Sequence, residues 1–266
     1  MMARVLAALL LAPPFLLVLY YGSWPLAILF SFLSLLASIE FLKMEEGESH
    51  RSRTLLTVIW ALAFPLVHCQ WGLRGGALLL VGFMPLLVIP ALLKGKPQGE
   101  GRALAHSLLC VVLCGFALGF VVLIREHLVK GRELIIVLIA IVWMQDTAAY
   151  FIGTAIGRHK LTSLSPKKSW EGSIFGLIFG VLAGLLLSHF LGVIEGISFV
   201  YVIVLGFTAL AGQLGDLMES LLKRDYGIKD SGHLIPGHGG ILDRFDSVCS
   251  AAPVLYVWLE VLPLPK

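Results

Sequence analysis

Apolar runs close to 20 residues long, separated by short charged or Gly/Pro-rich patches, set the pattern of the chain. They predict helices near 5–21, 24–42, 55–67, 77–93, 104–124, 134–152, 172–191, 197–218 and 248–262. A helix needs about 20 apolar residues to cross a bilayer, so the pattern reads as nine transmembrane spans. Tyr20, Tyr21, Trp24 and Trp71 fall at span ends, where interfacial aromatics collect. The first run imitates a signal peptide but carries Pro13 and Pro14 and no clear small-residue cleavage site, so it is read as a retained span.

Composition supports this reading. Of 266 residues, 58% are hydrophobic and 14% charged, and the mean hydropathy is +0.91. A soluble domain carries about 25% charged residues, and a disordered chain is less apolar still, so both are excluded. The expected fold is an all-α polytopic integral membrane protein. Residues 1–132 would form five spans and residues 133–266 a four-span catalytic region, with polar loops near 158–171 and 220–247.

The basic residues set an orientation. One group of exposed segments holds fifteen: Arg4, Lys43, Arg51, Arg53, Lys94, Lys96, Arg102, Arg158, Lys160, Lys167, Lys168, Lys223, Arg224, Lys229 and Arg244. The other holds five: Arg74, Arg125, Lys130, Arg132 and Lys266. The positive-inside rule therefore places the N-terminus and both polar loops in the cytoplasm, where nucleotides are. The four cysteines, Cys69, Cys110, Cys114 and Cys249, lie in or beside apolar segments and read as small buried hydrophobes.

All six aspartates lie in the second half of the chain. Asp146 shares a helical face with Tyr150 and Gly153, and a carboxylate inside a span normally faces a polar cavity, a partner or an ion. Before the seventh span, Ser165 and Pro166 have the look of an N-cap and first-turn pair, followed by Lys167, Lys168 and Ser169. Cations and free N–H groups at a helix start suit phosphate oxygens, although paired lysines at a membrane edge also bind headgroups or fix topology. Further on, Gln213, Asp216, Ser220 and Lys223 form a polar helical stripe, and Asp243 and Asp246 stand at i, i+3. A glycine-dense turn containing His238, Gly239 and Gly240 lies between them, where backbone N–H groups can approach an anion. His238 reads equally as a phosphate contact or as a structural turn residue. These are the parts of Mg²⁺-assisted phosphoryl chemistry. No Walker-type Gly-x-x-x-x-Gly-Lys-Ser/Thr loop is present.

The stretch from Ser220 to Asp246, with Lys223-Arg224, Lys229-Asp230, Ile235-Pro236-x-His238-Gly239-Gly240 and Asp243-Arg244-Phe245-Asp246, resembles the signature of the phosphatidate cytidylyltransferases (CDP-diacylglycerol synthases). The segments Asp146-Thr-Ala-Ala-Tyr150 and Ser165-Pro-Lys-Lys-Ser-Trp-Glu-Gly172 resemble further family pieces in the same order. The resemblance covers roughly 140–250 and implies transfer of CMP from CTP to phosphatidic acid, with Mg²⁺ and with a second, monovalent cation left open. Taken with the helical stripes, it points to Asp216, Asp243 and Asp246 as metal ligands. It assigns Lys167, Lys168, Ser169, Ser220, Lys223, Arg224, Lys229, His238, Gly239, Gly240 and Arg244 to phosphate and substrate contacts. Asp146 is either an organiser behind the metal ligands or a base. A homodimer in the inner membrane, working among membrane lipids and binding no nucleic acid, is the family expectation. Another lipid substrate, or a transporter with intramembrane aspartates, are the competing readings.

Overall fold

The computed structural model describes residues 14–45, 51–95, 98–229, 231–232 and 239–261. These are helical almost throughout: α1 (14–21), α2 (Ser23–Leu42), α3 (Arg51–Lys94), α4 (Glu100–Cys110), a π-helical stretch (Val111–Ala117), α5 (Phe120–His127), α6 (Gly131–Ile156), α7 (Trp170–Phe190), α8 (Phe199–Asp225) and α9 (Leu242–Val261). Six helices among the described residues are long and apolar enough to cross a membrane. All-helical architecture and several membrane-length helices thus agree with the expectation, whereas the count of nine spans and the orientation rest on sequence alone.

One of the six, within α3, doubles back. Gly72 sits at φ 63°, ψ −161°, a conformation that interrupts the helix and that glycine reaches without a Cβ clash. Trp60 Nε1 donates to the Leu79 carbonyl at 2.8 Å, and its ring lies 5.8 Å from that of Phe83. In a straight helix residues 60 and 79 would be about 28 Å apart, so the two halves form a hairpin. These halves correspond to the separate spans expected at 55–67 and 77–93. α9 is helical as expected but is not among the six, because Asp243, Arg244, Asp246 and Glu260 interrupt its apolar character.

Packing groups the chain into two compact units, discontinuous in sequence. The first comprises residues 1–126 with Tyr226–Phe245; the second comprises His127–Asp225 with Asp246–Lys266. The described residues of the signature segment 226–245, which the sequence places with the C-terminal half, therefore pack with the N-terminal helices.

In the first unit, Ala61, Phe64, Phe83, Leu87 and Val111 form a buried core. The break between α1 and α2 is satisfied by Arg125 and Glu126. Arg125 donates to the carbonyls of Leu19, Tyr20 and Tyr21 at 3.1–3.4 Å, and Glu126 Oε1 accepts from Ser23 N at 2.6 Å. These are the orphan groups left at helix ends, here filled by one adjacent pair. Arg53 and Glu100 make a buried ion pair between the starts of α3 and α4.

In the second unit, Gly172, Gly176, Gly180, Gly184 and Ser188 are buried at every fourth position of α7. This stripe lets α6 come against the α7 backbone: a Cβ on Gly176 would lie 2.9 Å from the Gln145 carbonyl, and one on Gly180 3.1 Å from that of Ile141. Close backbone approach through small residues is how helices associate where lipid offers no hydrophobic drive. The helix carrying Asp146 is thereby fixed against α7.

Candidate functional site

The turn before α7 is tied down at both ends. Lys160 and Ser169 form an antiparallel bridge, flanked by Leu161 N to Lys168 O and Trp170 N to His159 O, each 2.9 Å. The helix starts at Trp170 rather than at Pro166: Ser169 is the N-cap, accepting from Gly172 N at 3.1 Å. Ser165 lies in a turn, its carbonyl accepting from Lys168 N at 3.0 Å, which corrects the expected cap. That turn carries Lys168 towards α8, where its ammonium pairs with Asp216. Lys167 beside it is exposed. Glu171 accepts from His159 Nδ1 at 2.6 Å, closing the outer side of the turn.

Asp216 occupies the polar stripe of α8 that the sequence anticipates. Gln213, one turn earlier, ties α8 to α7: its Nε2 donates to the Ser173 carbonyl at 2.9 Å, and Ser173 Oγ donates to its Oε1 at 2.5 Å. Gly215 brings α9 against the same helix, since a Cβ there would lie 2.7 Å from the Asp246 carbonyl. Asp146, Asp216 and Asp246, from α6, α8 and α9, are consequently close enough for their charges to repel, with Lys168 offsetting them. Asp146 and Asp216 stand about 15 and about 14 Å before the C-terminal ends of their helices.

The sequence reading missed Glu219. It is 5% exposed, lies within hydrogen-bonding reach of Asp246, and pairs with Lys223 at 3.2 Å. Its i, i+4 relation to Lys223 was the available signal. Lys223 and Arg224 belong to the last turn of α8 rather than to a loop, where cations complement the helix dipole. Ser220 is half-buried on the same helix.

The remaining predicted residues lie in the first unit. Asp243, in the first turn of α9, accepts from Gly240 N at 2.9 Å and from Ser231 N at 3.1 Å. Gly239 has φ +80°, a left-handed conformation that disfavours other residues. Lys229 and Arg244 are exposed. His238 lies outside the described residues.

The second unit therefore presents a cluster of carboxylates, Asp146 exposed, Asp216 and Asp246 half-buried and Glu219 buried, with two lysines. Among the described residues no group of three or more His, Cys, Asp and Glu side chains is arranged to enclose a metal. Mg²⁺ carrying a nucleotide needs only one or two carboxylates, the rest being phosphate oxygens and water, so the Asp216–Asp246 pair is a fitting donor set.

Comparison with known proteins points the same way. The chain is 32% identical over 268 residues to the phosphatidate cytidylyltransferase of Bacillus subtilis, covering 98% of each chain. It is 33% identical over 264 residues to that of Staphylococcus aureus, covering 97% of this chain and 99% of the relative. The Brucella suis enzyme is 36% identical over 191 residues, covering 71% and 68%. The model of the cytidylyltransferase family matches residues 2–262, end to end over the helices and clusters described above. The chain belongs to the cytidylyltransferase family.

Proposed function

We propose that the protein transfers CMP from CTP to phosphatidic acid, giving CDP-diacylglycerol and pyrophosphate. The observation that carries this is the Asp146, Asp216 and Asp246 cluster with Lys168 set against Asp216, where the helices of Asp146 and Asp216, α6 and α8, are long and apolar enough to cross a membrane. A two-tailed lipid phosphate cannot leave the bilayer cheaply, since each exposed CH₂ costs about 0.8 kcal/mol. The enzyme must hold a soluble nucleotide against a phosphate that stays embedded.

A phosphatidate oxygen attacks the α-phosphorus of CTP. A new P–O–P bond forms, the bond to the β-phosphate breaks, and its electron pair leaves with pyrophosphate. The nucleophile is already anionic, so no strong base is required, and Asp146 serves to organise the cluster. Asp216 and Asp246 would hold Mg²⁺, to which the family resemblance also assigns Asp243, and the ion would offset charge developing on the transferred and departing phosphates. Lys168 and Lys167 neutralise triphosphate oxygens, and Lys223, paired with Glu219, offers a second cation at the same carboxylates. Ser169, Ser220, Arg224, Lys229, His238, Gly239, Gly240 and Arg244 contact the nucleotide or lipid phosphate. The fifteen-to-five division of basic residues supports an N-terminus and catalytic loops on the cytoplasmic side of the inner membrane.

The test is purified protein in detergent with phosphatidic acid, Mg²⁺ and each of four nucleoside triphosphates. CDP-diacylglycerol and pyrophosphate should form in equal amounts from CTP. Absence of pyrophosphate release with CTP would overturn the reading.

A further inference from the structure

Glu40 lies on α2, in a half of the chain whose sequence offers only hydrophobic spans. It is 3% exposed. Its Oε2 accepts from Leu242 N at 3.0 Å and from Ser231 Oγ at 3.4 Å, groups about two hundred residues downstream in the signature segment. Its Oε1 has no hydrogen-bond partner among the described residues. The two flanks of the signature, 231–232 and 239–243, close directly over this carboxylate. A Cβ on Gly232 would lie 2.6 Å from Oε1 and one on Gly240 2.5 Å from Oε2, so both flanks need glycine at the contact.

A buried carboxylate met, among the described residues, only by a backbone amide and a hydroxyl is costly; an apolar side chain of similar size would fill the space with less desolvation. Its retention here needs a reason beyond filling the core. Asp243 supplies the connection. Asp243 takes the N–H of Ser231 and of Gly240, while Glu40 takes the hydroxyl of Ser231 and the N–H of Leu242. The two carboxylates thus grip the same two flanks, one from the signature itself and one from α2. A second contact holds the same segment: Tyr226 Oη and His106 Nδ1 are 2.7 Å apart, with His106 stacked on Phe41, the neighbour of Glu40.

We infer that Glu40 is a positioning residue for the nucleotide: it seats the flanks of the glycine turn so that Gly239, Gly240 and Asp243 are presented in one geometry. The inference rests on the functional reading above and narrows it: of the nucleotide and lipid phosphates named there, Gly239 and Gly240 are given to CTP, beside the metal role of Asp243. Positioning acts on nucleotide binding, so Glu40→Leu should raise the KM for CTP at least tenfold while the KM for phosphatidic acid changes less than threefold. Glu40→Gln, whose carbonyl still accepts from Leu242 N, should recover CTP binding to within threefold of the original. Hydrogen exchange over 239–245 should speed up in Glu40→Leu and not in Glu40→Gln. A residue that merely stabilised the fold would lower the amount of active enzyme and leave both KM values in place.

A Glu40→Leu enzyme whose CTP KM stays within twofold of the original overturns the inference, whatever its kcat. If that variant does not fold, Ser231→Ala removes only the hydroxyl bound to Glu40. It should raise the CTP KM about threefold, and no change would overturn the inference equally. Original enzyme that consumes no CTP would remove the functional reading and the nucleotide role with it; unchanged exchange at 239–245 would remove the seating itself.

Discussion

Lys168 reaches from the turn before α7 to pair with Asp216 on α8, joining two segments 48 residues apart in the chain. Neither partner is deeply buried: their side chains are 31% and 29% exposed. A pair so open to solvent contributes little to stability, typically under about 1 kcal/mol. Under the proposed function its value lies in holding a cation beside a carboxylate that would bind metal.

Lys168→Ala should therefore leave the melting temperature nearly unchanged and raise the KM for CTP more than that for lipid. Lys167→Ala, which removes an exposed lysine with no part in the Asp216 pair, should act in the same direction but less. Steady-state kinetics with each substrate varied in turn measures both. An unchanged CTP KM in both variants would mean that the lysines only set topology.

Gly176 is the point where α7 meets the α6 backbone, and an added side chain there has nowhere to go. Gly176→Val should part α6 from α7 and break the Ser173–Gln213 contacts beside it. Overpacking of this kind costs about 1–3 kcal/mol, so thermal unfolding in detergent should start lower. Activity should fall together with stability, because Asp146 rides on the displaced helix. A variant of unchanged stability would show that α6 and α7 tolerate a wider spacing.

Much of this was legible in the sequence. The apolar runs located every helix that is described, and the aspartates drew attention to the half of the chain where Asp146, Asp216 and Asp246 come together. The cap of α7 was misplaced by four residues because Ser165-Pro166 and Ser169 are both acceptable helix starts, and only the Lys160–Ser169 bridge decides between them. Glu219 was passed over because its burial follows from the approach of α9 at Gly215, a tertiary event. Glu40 was invisible for the same reason: its partners lie at the other end of the chain, and a single glutamate near the end of a hydrophobic run carries no local signal.

Topology is open to a direct check. Single cysteines placed at Lys160 and at Lys229 in a background lacking Cys69, Cys110, Cys114 and Cys249 should resist a membrane-impermeant maleimide in intact cells and react after permeabilisation. A cysteine at Arg74 should react in intact cells. The reverse pattern would put the fifteen-residue basic set outside and overturn the orientation.

The aspartates of α9 offer the sharpest separation of roles. Asp243 already accepts two backbone N–H groups, from Gly240 and Ser231, whereas Asp246 lies among Asp216, Glu219 and Lys223. Asparagine preserves shape but removes an anionic donor, and Mg²⁺, which gives up its water reluctantly, depends on such donors. Asp246→Asn should lower turnover at least a hundredfold, about 2.7 kcal/mol of transition-state stabilisation, and raise the Mg²⁺ concentration needed for half activity. Asp243→Asn should lose activity to a similar degree if its carboxylate also meets the metal. If it serves the glycine turn instead, the asparagine oxygen can still accept an N–H, and the loss should be modest with the Mg²⁺ requirement unchanged. Asp225→Asn, exposed at the end of α8, is the control and should be near normal. Mg²⁺ titrations of the three variants therefore assign the two carboxylates separately. Normal turnover at limiting Mg²⁺ in both Asp243→Asn and Asp246→Asn would end the metal assignment on α9.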